Sequence, residues 1–588
     1  MDSKHVTEST SGQEDIQKTW WKEAIIYQIY PRSFQDSDGD GIGDLNGITS
    51  RLDYIQSLGV DIIWLNPIFL SPNDDNGYDI SDYREIMREF GTMEDFDRLL
   101  KEIHKREMRL VLDLVVNHTS NEHPWFEEAR KSRHNSYYNY YHWWPAEKGE
   151  PPLRLSYFDE EGNAWTYNKS TDSYYLHYFS RKQPDLNWEN PEVRQEIFDM
   201  MRFWFDKGID GFRMDSISLI AKDPSFPLID SKKYPDIFSF YAKEPRLHLY
   251  LHEMNRQVLS KYDCMSVGEG SAVMVDDVAK FVDPAREELN MLYHFDAARI
   301  RNTTLPDNPE SGIDYSLIAL KKMFTEWDKA VDKGWPSIYL GNHDQPRMVS
   351  RFGSDKDEFR ALSAKMLITF LLTMKGTPYW FAGDEIGMRN IRFDRIEDYN
   401  DIDTINRYKK AKAEGKDPQA VLDEQKETGR DNARTPFQWD RSPEAGFTAG
   451  TPWLKVNPDY TWINVADEEK DPTSILNYFK KVVSFRKENL SLIYGSYHLL
   501  DAENPQSYTF LRKTGADTYL IMLNFSPKAA ISTPGIDMSN AHVLLDNYGD
   551  RSHMAPQKDI TLRPFEAIVF QLNHPVYESF IDSLDLLE

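Results

Sequence analysis

The sequence predicts an α/β protein: a (β/α)8 TIM barrel with a subdomain inserted after strand 3 and a C-terminal antiparallel β-domain. Eight apolar, strand-like runs alternate with helical stretches before residue 385, the pattern of a parallel barrel. Three of the runs stop abruptly at a carboxylate: Gly211-Phe212-Arg213-Met214-Asp215, Ser266-Val267-Gly268-Glu269 and Ser337-Ile338-Tyr339-Leu340-Gly341-Asn342-His343-Asp344. Strands buried on both faces read as continuous apolar stretches, so an acid where such a strand stops stands at one rim of the sheet.

In chain order the strands are Ala24–Tyr30, Val60–Pro67, Arg109–Asn117, Gly208–Asp215, Cys264–Glu269, Leu292–Asp296, Ser337–Asp344 and Thr377–Asp384. Among the helices Glu192–Lys207 is the clearest: Asn190 caps it, Pro191 suits its first turn, and Gly208 stops it. Ile197, Met201 and Trp204 share one face of that helix. The third and fourth strands are separated by a long insertion rich in aromatic residues, including Tyr137-Tyr138-Asn139-Tyr140-Tyr141-His142-Trp143-Trp144. That run suits either a core or a surface on which sugar rings stack. A second insertion, 391–429, is charged and helical and follows the eighth strand. From about Ser496 short alternating strands such as Tyr508–Leu511 and Tyr519–Leu523 begin. The domains are therefore 1–117 (first part of the barrel), 118–188 (inserted subdomain), 189–495 (second part of the barrel) and 496–588 (β-domain).

Composition narrows the function. A formal charge of −27 and a pI near 5.0 argue against nucleic acid and anionic membranes as partners. The single cysteine, Cys264, excludes an internal disulfide framework and a cysteine metal cage, and its place in the strand that ends at Glu269 suggests a buried, inert thiol. The first residues carry no apolar leader segment, and the longest apolar run, Met366–Met374, is too short to span a bilayer. A monomeric cytoplasmic protein without an organic cofactor is the expectation.

The rim acids suggest the chemistry. Glycoside hydrolysis needs a nucleophile or base, an acid, and groups that hold the sugar, and separate strands deliver all of these to one rim. Separately, Asp36-Ser37-Asp38-Gly39-Asp40-Gly41-Ile42-Gly43-Asp44 places oxygens at alternate positions with glycines between, the spacing of a calcium loop. It lacks the closing glutamate of an EF-hand, and on spacing alone an ion-free acidic turn fits it equally.

The motifs resemble the α-amylase superfamily, glycoside hydrolase family 13. Asp113–His118, Gly211–Asp215, Val267–Glu269 and Asn342–Asp344 are similar to its four signature blocks, in order. Gln183-Pro184-Asp185-Leu186-Asn187 and Arg430–Trp439 are similar to the oligo-1,6-glucosidase and sucrose-isomerase branch, which also lies near the trehalulose hydrolases. The resemblance implies Asp215 as nucleophile, Glu269 as general acid/base and Asp344 as the carboxylate that holds sugar hydroxyls. Asp215 must then be ionised, with Arg213 supplying the opposite charge, and Glu269 protonated by a raised pKa. It further implies that His118 and His343 bond hydroxyls of the innermost sugar, and that Tyr78 stacks against it. Asp75 and Arg430 would close the pocket, with Phe179 on its wall. For the acidic loop it implies a structural calcium ion, or magnesium in its place, on Asp36, Asp38, Asp40, the Ile42 carbonyl and Asp44.

The implied function is a retaining, exo-acting α-glucosidase that cleaves isomaltose, isomaltulose and related α-1,6-linked sugars. Ser216, after the nucleophile, matches neither the valine that accompanies α-1,6 preference nor the alanine or threonine of α-1,4 enzymes. An α-1,4 or sucrose-type glucosidase is thus one alternative. Sucrose isomerase is another, but Ala297–Asn302 lacks the arginine-rich isomerase loop, and Gly270-Ser271 stands where isomerases carry an aromatic clamp. A non-catalytic sugar-binding ancillary subunit would lack the acids that this chain retains.

Overall fold

A computed structural model describes residues 18–158, 162–234, 236–303, 305–515, 517–538, 541–551 and 558–572. The amino-terminal stretch read for a leader lies outside them.

Eight parallel strands form the barrel: β1 Ile26–Ile29, β2 Ile62–Leu65, β3 Arg109–Val115, β4 Gly211–Asp215, β5 Met265–Glu269, β6 Met291–Tyr293, β7 Ser337–Ile338 and β8 Thr377–Phe381. Their order is β6-β5-β4-β3-β2-β1-β8-β7. Between β6 and β7 the Ser337 hydroxyl donates to the Leu292 carbonyl at 2.7 Å. Each expected strand is present but shorter. The largest difference is β7, which ends at Ile338 and leaves Tyr339–Asp344 as rim backbone, turned by the Asn342 side chain accepting from the Asp344 N–H at 2.8 Å. The sixth strand stops before Asp296, which opens a helix to Thr303.

Alternation along the strands fills the barrel. Ile26, Ile62, Trp64, Val111, Met265, Val267, Met291, Tyr293 and Tyr379 form one buried interior cluster, while Phe212 and Met214 belong to the outer layer beneath the helices. On β4 this puts Arg213 and Asp215 inside. The register pairs Arg213 with Asp113 on β3 and with Val267 on β5, which carries Glu269 two residues later on the same face. Helix Pro191–Lys207 forms as expected, with the Asn190 side chain accepting from Glu192 N–H and Gly208 left-handed at φ 107°. Cys264 precedes β5 and is half-buried rather than buried; its thiol is still pushed up to about 12 by burial.

The inserted segment holds a three-stranded antiparallel sheet, Trp143–Pro145, Trp165–Asn168 and Ser173–Leu176. Its aromatic run is core: Tyr140 and Tyr141 are buried, and Trp143 stacks on Phe126 at 5.9 Å and on Tyr138 at 4.9 Å. A buried lysine ties the insertion to the barrel: Lys222 Nζ lies 2.6 Å from Asn117 Oδ1 and 3.1 Å from Asp185 Oδ2. After β8 come two charged helices, Ile402–Ala413 and Pro418–Thr428. Beyond them is a five-stranded antiparallel sheet of β9 Ser496–Leu500, β10 Ser507–Thr514, β11 Asp517–Asn524, β12 His542–Asp546 and β13 Ala567–Leu572. Buried Arg512 docks it, donating to Thr373 O at 2.7 Å at the carboxyl end of helix Arg360–Thr373, where cations are favoured. Among the described residues no helix is long and apolar enough to cross a membrane.

Candidate active site

The carboxyl ends of β3, β4 and β5 converge on one guanidinium. Arg213 NH1 donates to Asp113 Oδ1 at 2.9 Å and to Asp215 Oδ1 at 2.7 Å, while NH2 bonds Glu269 Oε2. The carboxyls of Asp215 and Glu269 are thus held side by side on the two arms of one guanidinium. Glu269 Oε1 also accepts from the Ser271 hydroxyl at 2.9 Å. Ser216 adopts a left-handed conformation at φ 43°, a strained one for a residue with a Cβ, and this brings its N–H to 3.4 Å from Glu269 Oε2.

These surroundings give the two acids different protonation states. Burial, reinforced by Asp113 and opposed by Arg213, pushes Asp215 up to about 6. Glu269 is pushed up to about 8, first by burial and then by the negative charges of Asp215 and Asp344, against Arg213. Near pH 7 the pair therefore holds one proton, and it rests on Glu269. That is the division a nucleophile and a general acid require.

Asp344 lies across the cavity. Burial alone would raise it, but its neighbours hold it well below the usual carboxylate range: His343 Nε2 is 3.1 Å away, Arg430 NH1 3.2 Å and Arg434 NH2 3.0 Å. Burial pushes His343 itself down to about 3, so it is neutral and the two arginines supply the positive charge. His343 is tightly oriented. Gln28 Nε2 approaches its Nδ1 at 2.8 Å, and its Nε2 lies 2.7 Å from the Tyr78 hydroxyl, which donates to Asp113 Oδ2 at 3.0 Å. Tyr78 stacks on the His343 ring at 5.4 Å.

The far wall is Asp75, which accepts from Gln183 Nε2 at 3.2 Å and lies 3.5 Å from Arg430 NH2; burial raises it to about 7 despite Arg430 and Arg434. His118 is likewise buried and neutral, pushed down to about 3, with Phe179 tilted against it at 5.1 Å. Asp75, Tyr78, His118, Phe179, His343 and Arg430 line one open cavity of about 330 Å³ together with the three acids. Arg213 lies beneath its floor.

The site also uses residues that are not among those expected from the sequence. Asp113 carries the same signal as the others, an acid within an apolar strand. Arg434, which holds Asp344, lies in the Arg430–Trp439 block but has nothing of its own to mark it, and Asp401, which holds Arg430, carries no signal. Tyr157 and Phe158 complete the aromatic wall, Tyr157 stacking on Phe179 at 5.1 Å.

Remote from this cavity, the ligand atoms of Asp36, Asp38 and Asp40 lie within 4.8 Å of one another. This all-oxygen set suits a hard cation. Asp44 is turned elsewhere: its carboxylate accepts from Ser37 N–H and Gly47 N–H, each at 2.7 Å, capping helix Leu45–Ser50. The Ile42 N–H donates to Asp40 Oδ1 at 2.8 Å.

Residues 28–495 match the family model of the alpha amylase catalytic domain. The chain is 51% identical over 571 residues to the oligo-1,6-glucosidase of Parageobacillus thermoglucosidasius, covering 95% of this chain and all of that one. It is 49% identical to the oligo-1,6-glucosidase of Bacillus cereus over the same shares. Among solved structures, the trehalulose synthase MutB from Pseudomonas mesoacidophila superposes with a TM-score of 0.89 at 42% identity, covering 94% of this chain and 99% of that one.

Proposed function

This chain belongs to the α-amylase family of glycoside hydrolases, and from that premise we propose that it is a retaining α-glucosidase releasing glucose from the non-reducing end of short α-1,6-glucosides. The observation that carries the reading is two carboxyls, Asp215 and Glu269, held by one guanidinium at the bottom of a pocket closed by Asp75 and Arg430. Asp215 attacks the anomeric carbon while Glu269 gives its proton to the departing glycosidic oxygen, leaving a glucosyl ester. Glu269, now a carboxylate, takes a proton from water, whose oxygen replaces Asp215 at the anomeric carbon. One guanidinium holds both carboxyls, Asp215 through NH1 and Glu269 through NH2, and this close pairing supports double displacement rather than the wider spacing of an inverting enzyme. A wall behind the sugar supports exo action.

Sucrose isomerase is the second reading, favoured by the likeness to MutB. Ser271 opposes it: a small hydroxyl stands beside Glu269, leaving water a path to the glucosyl ester. Incubation with isomaltose, isomaltulose, maltose and sucrose tests the choice. Glucose release led by the α-1,6 sugars is expected; isomaltulose or trehalulose as main products from sucrose would make this an isomerase.

Calcium, or magnesium, is proposed to be held by Asp36, Asp38 and Asp40 with the Ile42 carbonyl, while Asp44, expected as a further ligand, caps helix Leu45–Ser50 instead. Its role would be structural, because the loop contributes nothing to the cavity. A cation bound only by the folded state stabilises it by mass action. Chelation should therefore lower the melting temperature while folded enzyme keeps its turnover; an unchanged melting temperature would reject the site. A monomer in the cytoplasm is the proposed working form, since one chain supplies the whole pocket; a scattering mass near 68.8 kDa is expected, and twice that would reject it.

A further inference from the structure

Arg430 touches three carboxylates, and only two of them face the cavity. The third, Asp401, is buried outside it, at the amino end of helix Ile402–Ala413 in the charged insertion. Its oxygens are divided. Oδ1 accepts from Arg430 Nε at 2.7 Å and lies 2.5 Å from Arg430 NH2. Oδ2 caps the helix, accepting from Thr404 N–H at 3.0 Å and the Thr404 hydroxyl at 2.7 Å. The backbone is fixed too: Asp431 Oδ2 accepts the N–H groups of Asn400 at 2.7 Å and Asp401 at 2.9 Å.

We propose that Asp401 is a positioning residue that sets how Arg430 meets the terminal sugar site. A guanidinium binds a carboxylate best through two parallel N–H groups. Asp401 occupies the Nε edge, so Arg430 reaches Asp344 through NH1 alone, at Oδ1, where Arg434 NH2 also lands. Asp344 Oδ2 meets His343 alone among the described residues, which leaves it open to a sugar hydroxyl. Without the anchor, Arg430 is free to swing its fork onto Asp344 or Asp75 and cover oxygens that the sugar needs. The insertion after the eighth strand thereby controls affinity for the terminal glucose without touching it.

The proposal rests on the pocket being the seat of the non-reducing glucose, which glucose release from isomaltose by the wild type tests separately. Asp401→Asn keeps a good helix cap and removes the charge that holds Arg430. It should raise KM for isomaltose by about 10- to 100-fold with a smaller loss in kcat, as displacement of a positioning group does. Thr404→Val loses the hydroxyl bonds to Asp401 and Gln425 but keeps the N–H cap and the ion pair, so it should lower the melting temperature and leave KM within about twofold. Because Asp401 acts through Arg430, Asp401→Asn combined with Arg430→Ala should be no worse than Arg430→Ala alone. A KM for Asp401→Asn within about twofold of wild type would overturn the proposal, as would an equal KM loss in Thr404→Val or a further loss in the double variant.

Discussion

Replacing Asp215 with Asn, or Glu269 with Gln, is expected to lower kcat on the order of 10⁴-fold or more while the protein stays folded. The amides keep shape and lose the function: one cannot form the glucosyl ester, the other cannot give or take the proton. Stability should hold because burial already disfavours the charged form of both acids, and Arg213 keeps Asp113 as a partner. The same pair fixes the pH profile. Asp215 must be ionised, so kcat/KM should fall as the pH drops through about 6; Glu269 must be protonated, so it should fall again as the pH rises through about 8. In Glu269→Gln the alkaline limb should vanish from whatever activity remains. Near-normal turnover in either variant would remove these residues from the mechanism.

Arg213→Met should be the most damaging change to stability in the site. The guanidinium is buried and bonds Asp113, Asp215 and Glu269, so its loss leaves three carboxyls clustered without a cation. Removing one partner of such a buried arrangement costs about 3–5 kcal/mol. Without the cation all three acids titrate higher still, so the loss should be greatest above pH 7 and shrink as they protonate toward pH 5. Urea unfolding at both pH values reads it directly. A loss under about 1 kcal/mol at pH 7 would mean that Arg213 does not balance these charges.

The sequence reveals what backbone alternation and burial impose. Asp215 and Glu269 are visible because an acid stands out where a buried, apolar run stops. The eight strands are visible because a two-faced strand must be apolar throughout. What depends on side chains meeting across the rim is not visible. Asp401 and Arg434 sit in charged or mixed stretches, where an acid or arginine usually faces solvent. The left-handed Ser216 carries no glycine to betray it. The aromatic run Tyr137–Trp144 fits a core or a sugar platform equally until neighbours are known, and those neighbours, Phe126 and Tyr175, make it core. The strand pairs Phe69–Leu70 with Asp82–Ile86, and those of the insertion, are too short for period-two alternation to register.

Retention requires Asp215 to form a covalent bond to the sugar and Glu269 to return the proton. Proton NMR of isomaltose hydrolysis, recorded before mutarotation, tests this most directly. Two displacements at one carbon restore its configuration, so the anomeric signal of α-glucose should appear first and decay toward the equilibrium mixture. β-Glucose appearing first would mean single displacement by water, and would contradict the roles assigned to both carboxylates.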